Sequence, residues 1–274
     1  MAEAALAGPP ARRGRRRSAR VGRLERVVLV GLPLVLLLAG WEWLARAQVV
    51  GSLFFAGPLD VARALWTLAL DGELWRHARI SLTELALGVG AATLVGVPLG
   101  LALGGIRPLE GVLAPYVAAL YAAPRVAFFP LIALWFGTGL TSKALLVFIT
   151  VVFPILINSW ASVKTVDPVL LKAARSFGAN RLQLFTKIVL PHALPFVVTG
   201  LRIGSGIGLL AVYVAETFGA DGGLGYLAHT SGFAFQADKV FAGVIGLAVL
   251  GIALNQSLTY LERHLAPWRK SQDG

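Results

Sequence analysis

Of the chain's 274 residues, 57% are hydrophobic and only 14% are charged, with a mean hydropathy of +0.73; soluble domains carry roughly 25% charged residues, so this composition excludes an ordinary soluble domain and indicates a polytopic membrane protein. Cysteine is absent, which excludes disulfides, thiolate metal sites and thiol catalysis. The net charge of +11 does not indicate nucleic-acid binding, because eight arginines crowd into the first 26 residues beside a hydrophobic run, the arrangement of a cytoplasmic membrane anchor.

The basic tail over 1–26 is expected to be disordered and cytoplasmic. The apolar run over 27–44 continues through Trp41 and Trp43 with no clean small-residue cleavage site, and reads as an uncleaved span rather than a signal peptide. The outer linker that follows is punctuated by Gly51, Gly57-Pro58 and Gly72, and 60–70 has the pattern of a short amphipathic helix. Five further apolar stretches, 80–103, 112–135, 144–160, 195–218 and 240–260, are each near the length of about 20 residues that a helix needs to cross hydrocarbon. The expected fold is therefore all-α, with six transmembrane helices over 27–264 and a cytoplasmic tail over 265–274. With the N-terminus inside, seventeen Lys and Arg residues fall in cytoplasmic segments and six outside, Lys143 among the six. That bias places both termini in the cytoplasm.

Two spans carry glycines in steps of four: Gly96, Gly100 and Gly104 in the second, Gly200, Gly204 and Gly208 in the fifth. Each set lies along one helix face and lets backbones approach closely in lipid. Such faces serve either compaction within one subunit, or a subunit interface or sliding gate. Pro115, Pro124 and Pro130 interrupt the third span. Proline removes a backbone donor and clashes with the preceding turn, and backbone groups freed at membrane depth must be buried in protein or line a wet cavity. Pro124 and Pro130 therefore mark part of a translocation path or a kinked packing helix. Arg125, at mid-span beside Pro124, costs roughly 2.5–3.5 kcal/mol on insertion scales and must face protein or water. It favours an anionic solute in the path, pairs with Glu84 or Glu216, or snorkels to an interface. Glu216 is a further candidate for path, gate or structure. The four histidines are scattered, with no pair at metal-ligand spacing.

The fourth and fifth spans flank a polar island over 162–195, with five Lys or Arg residues and Asp167 as its single acid. Asp167-Pro168 is a good helix start, an N-cap followed by proline at the first helical position. Val169, Leu170, Ala173, Ala174 and Phe177 recur at helical spacing, and Gly178 suits a left-handed C′ position. A second short helix from about Asn180 is expected to place Leu182, Phe185, Ile188 and Val189 on one face and to close at Leu190-Pro191. Two short amphipathic helices joined at a glycine fit either a cleft in another protein or the lipid headgroup layer.

The run KAARSFGANRLQLFTKIVLP resembles the EAA loop of bacterial ABC-transporter permeases: Ala173, Ala174, Gly178, Ile188, Leu190 and Pro191 fall in register, with Lys172 in place of the glutamate. PRVAFFPLIALWFG (124–137), FPILINSW (153–160), VAET (214–217) and GGLGYL (222–227) extend the resemblance to the nitrate/sulfonate/taurine branch, over roughly 65–268. The resemblance implies a type I ABC importer permease fold in the bacterial inner membrane, with a core at about 65–262. It implies that the loop over 162–194, including Lys172 and Phe185, docks on a cytoplasmic ATPase, that two permeases pair as a homodimer with one ATPase each, and that a solute-binding protein delivers the solute. ATP and Mg would be used by the ATPase alone. No G-x-x-x-x-G-K-[ST] occurs in this chain, which is expected to bind no cofactor and not to be an enzyme by itself. The glycines over 219–225 read as a turn before the sixth span. The solute expected from this branch is small and anionic, with a vitamin precursor as the alternative cargo. An ion-coupled secondary transporter is the competing class; it would need acidic residues deep in the spans, whereas Glu42, Glu84 and Glu216 lie nearer the ends.

Overall fold

The computed structural model describes residues 23–48, 51 and 53–265. Most of the basic tail and the C-terminal tail lie outside the described residues. Every regular element is helical, and the chain divides into a unit ending at Leu59 and a unit from Asp60 onward. In the first, α1 (Arg23–Arg46) begins four residues inside the expected tail. Trp41 Nε1 donates to the Ala56 carbonyl at 3.0 Å, and Glu42 accepts from Arg46 at 2.7 Å and from the Leu59 amide at 3.1 Å. These bonds fix the linker that follows the helix.

The second unit starts within α2 (Pro58–Leu70), the amphipathic helix of the linker, which buries Val61, Ala64 and Leu68. Then come α3 (Glu73–Gly105), α4 (Arg107–Ala122), a 3-10 turn (Arg125–Phe128), α5 (Phe129–Phe136) and α6 (Leu140–Lys164). The chain continues through α7 (Pro168–Ser176), α8 (Arg181–Leu184), a π-helical turn (Phe185–Val189), α9 (Leu190–Thr217), α10 (Leu224–Phe233) and α11 (Ala237–Leu265). Among the described residues, Glu73–Gly105, Leu140–Lys164, Arg181–Thr217 and Ala237–His264 are long and apolar enough to cross a membrane. The helices outrun the apolar stretches at most ends, because hydropathy marks only the hydrocarbon-facing part. α3 starts seven residues early, at the left-handed Gly72, and carries ELWRHAR ahead of the apolar run.

The third stretch is not one helix. α4 and α5 meet at 80° across Pro124. Pro124 sits at φ −75°, ψ 75° with the Arg125 amide bonded to the Ala123 carbonyl at 2.8 Å, an inverse γ-turn. The other two prolines do not interrupt. Pro130 lies in the first turn of α5, where its missing donor costs nothing, and Pro115 is absorbed inside α4 at the loss of one hydrogen bond. The fifth span also differs from expectation. The π turn carries α8 into α9 without a stop, so Arg181–Thr217 forms one 37-residue helix. Pro191 falls in the first turn of α9. The carbonyl its ring would strike, that of Lys187, lies inside the widened turn, which relieves the clash.

α6 is the centre of the unit. α3 and α9 flank it through their glycines. A Cβ on Gly104 would approach Val163 Cβ at 2.5 Å, and one on Gly100 would meet Ser159 Cβ at 2.7 Å. From the other side, Cβ atoms on Gly204 and Gly208 would meet the Val151 methyls at 2.8 and 2.9 Å, and Gly96 and Gly200 also abut α6. All six glycines thus pack against α6 of the same chain. The cluster they enclose includes Leu85, Ala92, Phe129, Leu146, Val147, Val151, Ile155 and Val212.

A basic hairpin and buried polar clusters at the candidate functional site

The polar island forms a hairpin whose ends are locally determined. Asp167 Oδ1 accepts from the Val169 amide at 2.7 Å and caps α7. At the other end Gly178, at φ +82°, donates to the Arg175 carbonyl, and the Ala179 amide bonds the Ala174 carbonyl. This pair of bonds is a Schellman motif. Asn180 and Gln183 then form a reciprocal capping box that starts α8. α7 has no buried residue, yet it exposes Val169 and Leu170, and Phe177 just beyond it is 92% exposed. Lys172, Ala173 and Gly178 are exposed and Ala174 is half-buried. In α8 the buried side chain is Leu184, while Leu182 points out. The expected apolar face is therefore turned: Leu182 joins the exposed set, because the π turn shifts the register between α8 and α9. Ile188 and Pro191 are half-buried; Phe185 and Leu190 are exposed.

A second cluster joins α3, α6, α9 and α10. Glu216 is fully buried. Its Oε1 accepts from Ser81 Oγ at 2.6 Å and its Oε2 from the Gly225 amide at 2.6 Å. Ser81 Oγ in turn accepts from the Leu224 amide at 2.8 Å, and His77 Nδ1 accepts from the Gly223 amide at 2.9 Å. Three successive backbone donors at the start of α10 are thus satisfied by side chains from α3 and α9, the donors a helix N-terminus leaves open. Gly223 sits at φ +118°, and a side chain there would strike the Glu216 carboxylate. The 219–225 segment is therefore more than a turn: it launches a ten-residue helix, held by partners far away in sequence. Glu84 and Lys143, both buried, pair at 2.8 Å beside this cluster. Lys143, counted among the outer charges in the sequence, lies in the first turn of α6.

Arg125 does not pair with Glu84 or Glu216: Glu84 Oε1 is bonded to Lys143 and both oxygens of Glu216 are engaged, while Glu84 Oε2 is buried with no hydrogen-bond partner among the described residues. Its guanidinium lies 5.1 Å from the Tyr121 ring centre and 5.4 Å from that of Phe153, and its Nε and Nη1 are buried with no hydrogen-bond partner among the described residues. Phe153 belongs to α6, so Arg125 ties the break after α4 to the central helix. A third cluster, between α9 and α11, has no signal in the sequence pattern. Arg202 Nη2 donates to Glu262 at 2.6 Å and to Thr259 at 3.3 Å. Among the described residues no group of three His, Cys, Asp or Glu is placed to hold a metal.

A multi-pass helical chain with a glycine-packed core, an apolar helix pair broken by 80° and an exposed amphipathic hairpin has the architecture of a transport permease. The chain belongs to the family of binding-protein-dependent transport system inner membrane components, whose model matches residues 96–269. The taurine transport system permease protein TauC of Escherichia coli (strain K12) is 38% identical over 240 residues, covering 86% of this chain and 87% of the relative. The aliphatic sulfonates transport permease protein SsuC of Bacillus subtilis (strain 168) is 35% identical, covering 89% and 88%. A solved structure of the MetNI methionine ABC transporter matches the fold with a TM-score of 0.63 at 20% identity, over 72% of this chain and 98% of that one. The chain is an inner-membrane permease subunit of an ABC importer. It is not an enzyme itself; ATP hydrolysis belongs to a separate subunit, and the family works with an ATPase and a binding protein.

Proposed function

We propose that this permease carries a small anionic solute of the taurine and alkanesulfonate kind, that α1 supplies a sixth span, and that both termini and the α7–α8 hairpin lie in the cytoplasm. Two copies pair as a homodimer, and each hairpin seats on one of two ATPase subunits, which bind the ATP and Mg. An extracytoplasmic binding protein delivers the solute. The observation that carries the docking assignment is α7 itself. It is a nine-residue helix with an apolar face and no buried residue. Isolated helices this short are marginal in water, so its caps hold a shape whose Val169, Leu170 and Phe177 stay exposed among the described residues. Each such side chain is worth about 1.5–3 kcal/mol when fully buried. Lys172 stands where the family pattern has glutamate, so docking rests on shape and apolar contact around Ala173, Ala174 and Gly178.

Force is transmitted only if the ATPase grips the hairpin differently in its two nucleotide states. Because Arg181–Thr217 is one helix, a displacement at the hairpin reaches the Glu216 cluster and α10 directly. Glu216 acts there by holding α10 rather than by touching solute. Pro124, Arg125 and Pro130 belong to the path, where the unpaired guanidinium favours an anion.

The assay is co-purification with the ATPase and uptake of labelled taurine. Ala174→Arg and Gly178→Asp are expected to abolish both at normal membrane levels of permease. A complex and transport unharmed by both changes would remove the docking assignment. Arg125→Ala is expected to raise the half-saturating taurine concentration, and unchanged uptake would remove its role in the path.

A further inference from the structure

The cluster at the start of α10 holds two buried carboxyl groups against one buried ammonium. Glu84 is 1% exposed, Glu216 is fully buried, and Lys143 is the cation enclosed with them. A buried carboxylate without a balancing charge is costly. His77 supplies none, because its Nδ1 accepts from the Gly223 amide and is therefore unprotonated; Tyr226 of α10 stacks on that ring. Arg79 and Asp221 are exposed and line a cavity together with Glu84 and Lys143, and among the described residues neither forms an ion pair with the two carboxyls. The hydrogen bonds also leave one atom over. Lys143 Nζ donates to Glu84 Oε1, and Ser81 Oγ and the Gly225 amide donate to Glu216. Glu84 Oε2 is buried with no donor among the described residues, and each such exception calls for an explanation. Ser81 and Glu84 lie three residues apart on one face of α3, so the bond that holds Glu216 to Ser81 also brings it to Glu84. The two carboxyl groups lie within hydrogen-bonding reach of each other. Two carboxylates so placed are acceptors only. A proton between them turns one into a donor, gives Glu84 Oε2 its partner and balances the charge.

We propose that Glu84 and Glu216 form a binding site for a single proton, which the Glu216 carboxyl donates to Glu84 Oε2. Lys143 favours the anion on Glu84, its direct partner, and a protonated Glu216 keeps lone pairs for Ser81 and Gly225. The proton bolts α3 to α9 where α10 begins. When it leaves to water, two buried anions face each other beside the amides of Gly223, Leu224 and Gly225, and that end loosens.

The test is infrared spectroscopy at neutral pH, where exposed carboxyls are ionised. The full-length permease, isotope-labelled at its glutamate carboxyls, is assembled with unlabelled ATPase in lipid nanodiscs. The wild type is expected to show a labelled C=O band of a protonated carboxyl that shifts in heavy water. Glu216→Gln and Glu84→Gln are each expected to lose it, because one carboxylate then stands against Lys143 and the new amide supplies the donor between the two side chains. Glu110→Gln, at the half-exposed pair with Lys164, should keep it. A wild type without the band overturns the site, and that reading needs no variant to fold. A band that persists in Glu84→Gln places the proton on Glu216 alone, one that persists in Glu216→Gln places it elsewhere, and either overturns the sharing. Alkaline titration of the wild type gives a second readout. As the band disappears, amide exchange at 223–225 is expected to quicken at least about tenfold relative to the α6 amides. Relative protection that stays level through the titration would overturn the bolt.

Discussion

Glu216 offers the sharpest test of how the C-terminal end of α9 is built. Glu216→Ala strands the Ser81 hydroxyl and the Gly225 amide, both bonded at 2.6 Å in a fully buried site. A buried donor left unpaired costs about 1–3 kcal/mol, so two of them, with the cavity left by the side chain, amount to about 3–5 kcal/mol. Glu216→Gln keeps the shape and one acceptor but turns an amide N–H₂ toward a donor at the other position; its cost is about 1–3 kcal/mol. The loss is local to the start of α10. Hydrogen exchange at the amides of Gly223, Leu224 and Gly225 is therefore the assay, with thermal unfolding alongside. Exchange there should quicken by about ten- to a hundredfold in Glu216→Gln, and more in Glu216→Ala, while α6 amides stay protected. Amides at 223–225 that exchange as slowly in Glu216→Ala as in the wild type would refute the capping scheme.

Lys143→Met leaves Glu84 as a buried, uncompensated carboxylate and should destabilise by about 3–5 kcal/mol in a melt, whereas the double variant with Glu84→Met should recover most of that loss; a double variant no better than the single one would mean that the pair is not the relevant contact. Gly100→Ala drives a Cβ into Ser159 and the Leu156 carbonyl. It should cost about 1–3 kcal/mol by overpacking, and a melting temperature equal to the wild type would show that α3 and α6 can part freely. Asp167→Ala removes the α7 cap and should cost about 1 kcal/mol, read as faster exchange of the α7 amides with no change in the global melt.

What the sequence makes legible is what neighbours along the chain decide. The Asp167 cap and the Gly178 stop are set by residues within one turn of each and stand where pattern places them, whereas of the three prolines that pattern marks in the third stretch Pro124 alone breaks the helix. The glycine steps of four announce close helix contact, although only the fold reveals that α6 receives both sets. What pattern does not reveal depends on partners far away. His77 and Ser81 look like an unremarkable polar face of α3 until α10 arrives some 140 residues later to use them. Lys143 counts as an outer charge until Glu84 is seen beside it. Arg202 carries no motif, since its partners Thr259 and Glu262 lie 57 and 60 residues further along the chain.

The π-helical turn at Phe185–Val189 has a consequence for register. It holds one residue more per turn than the helix on either side, so rewinding the same residues as an unbroken α-helix would shift the register across it by one residue. Each residue turns an α-helix by about 100°. Such a rewinding would swing α8 and the attached α7 by about that angle around the axis of α9. Val169, Leu170 and Phe177 would then point to a different quarter of the compass while the caps of the hairpin stayed in place. The aim of the docking face is thus set by one extra residue, separately from its shape.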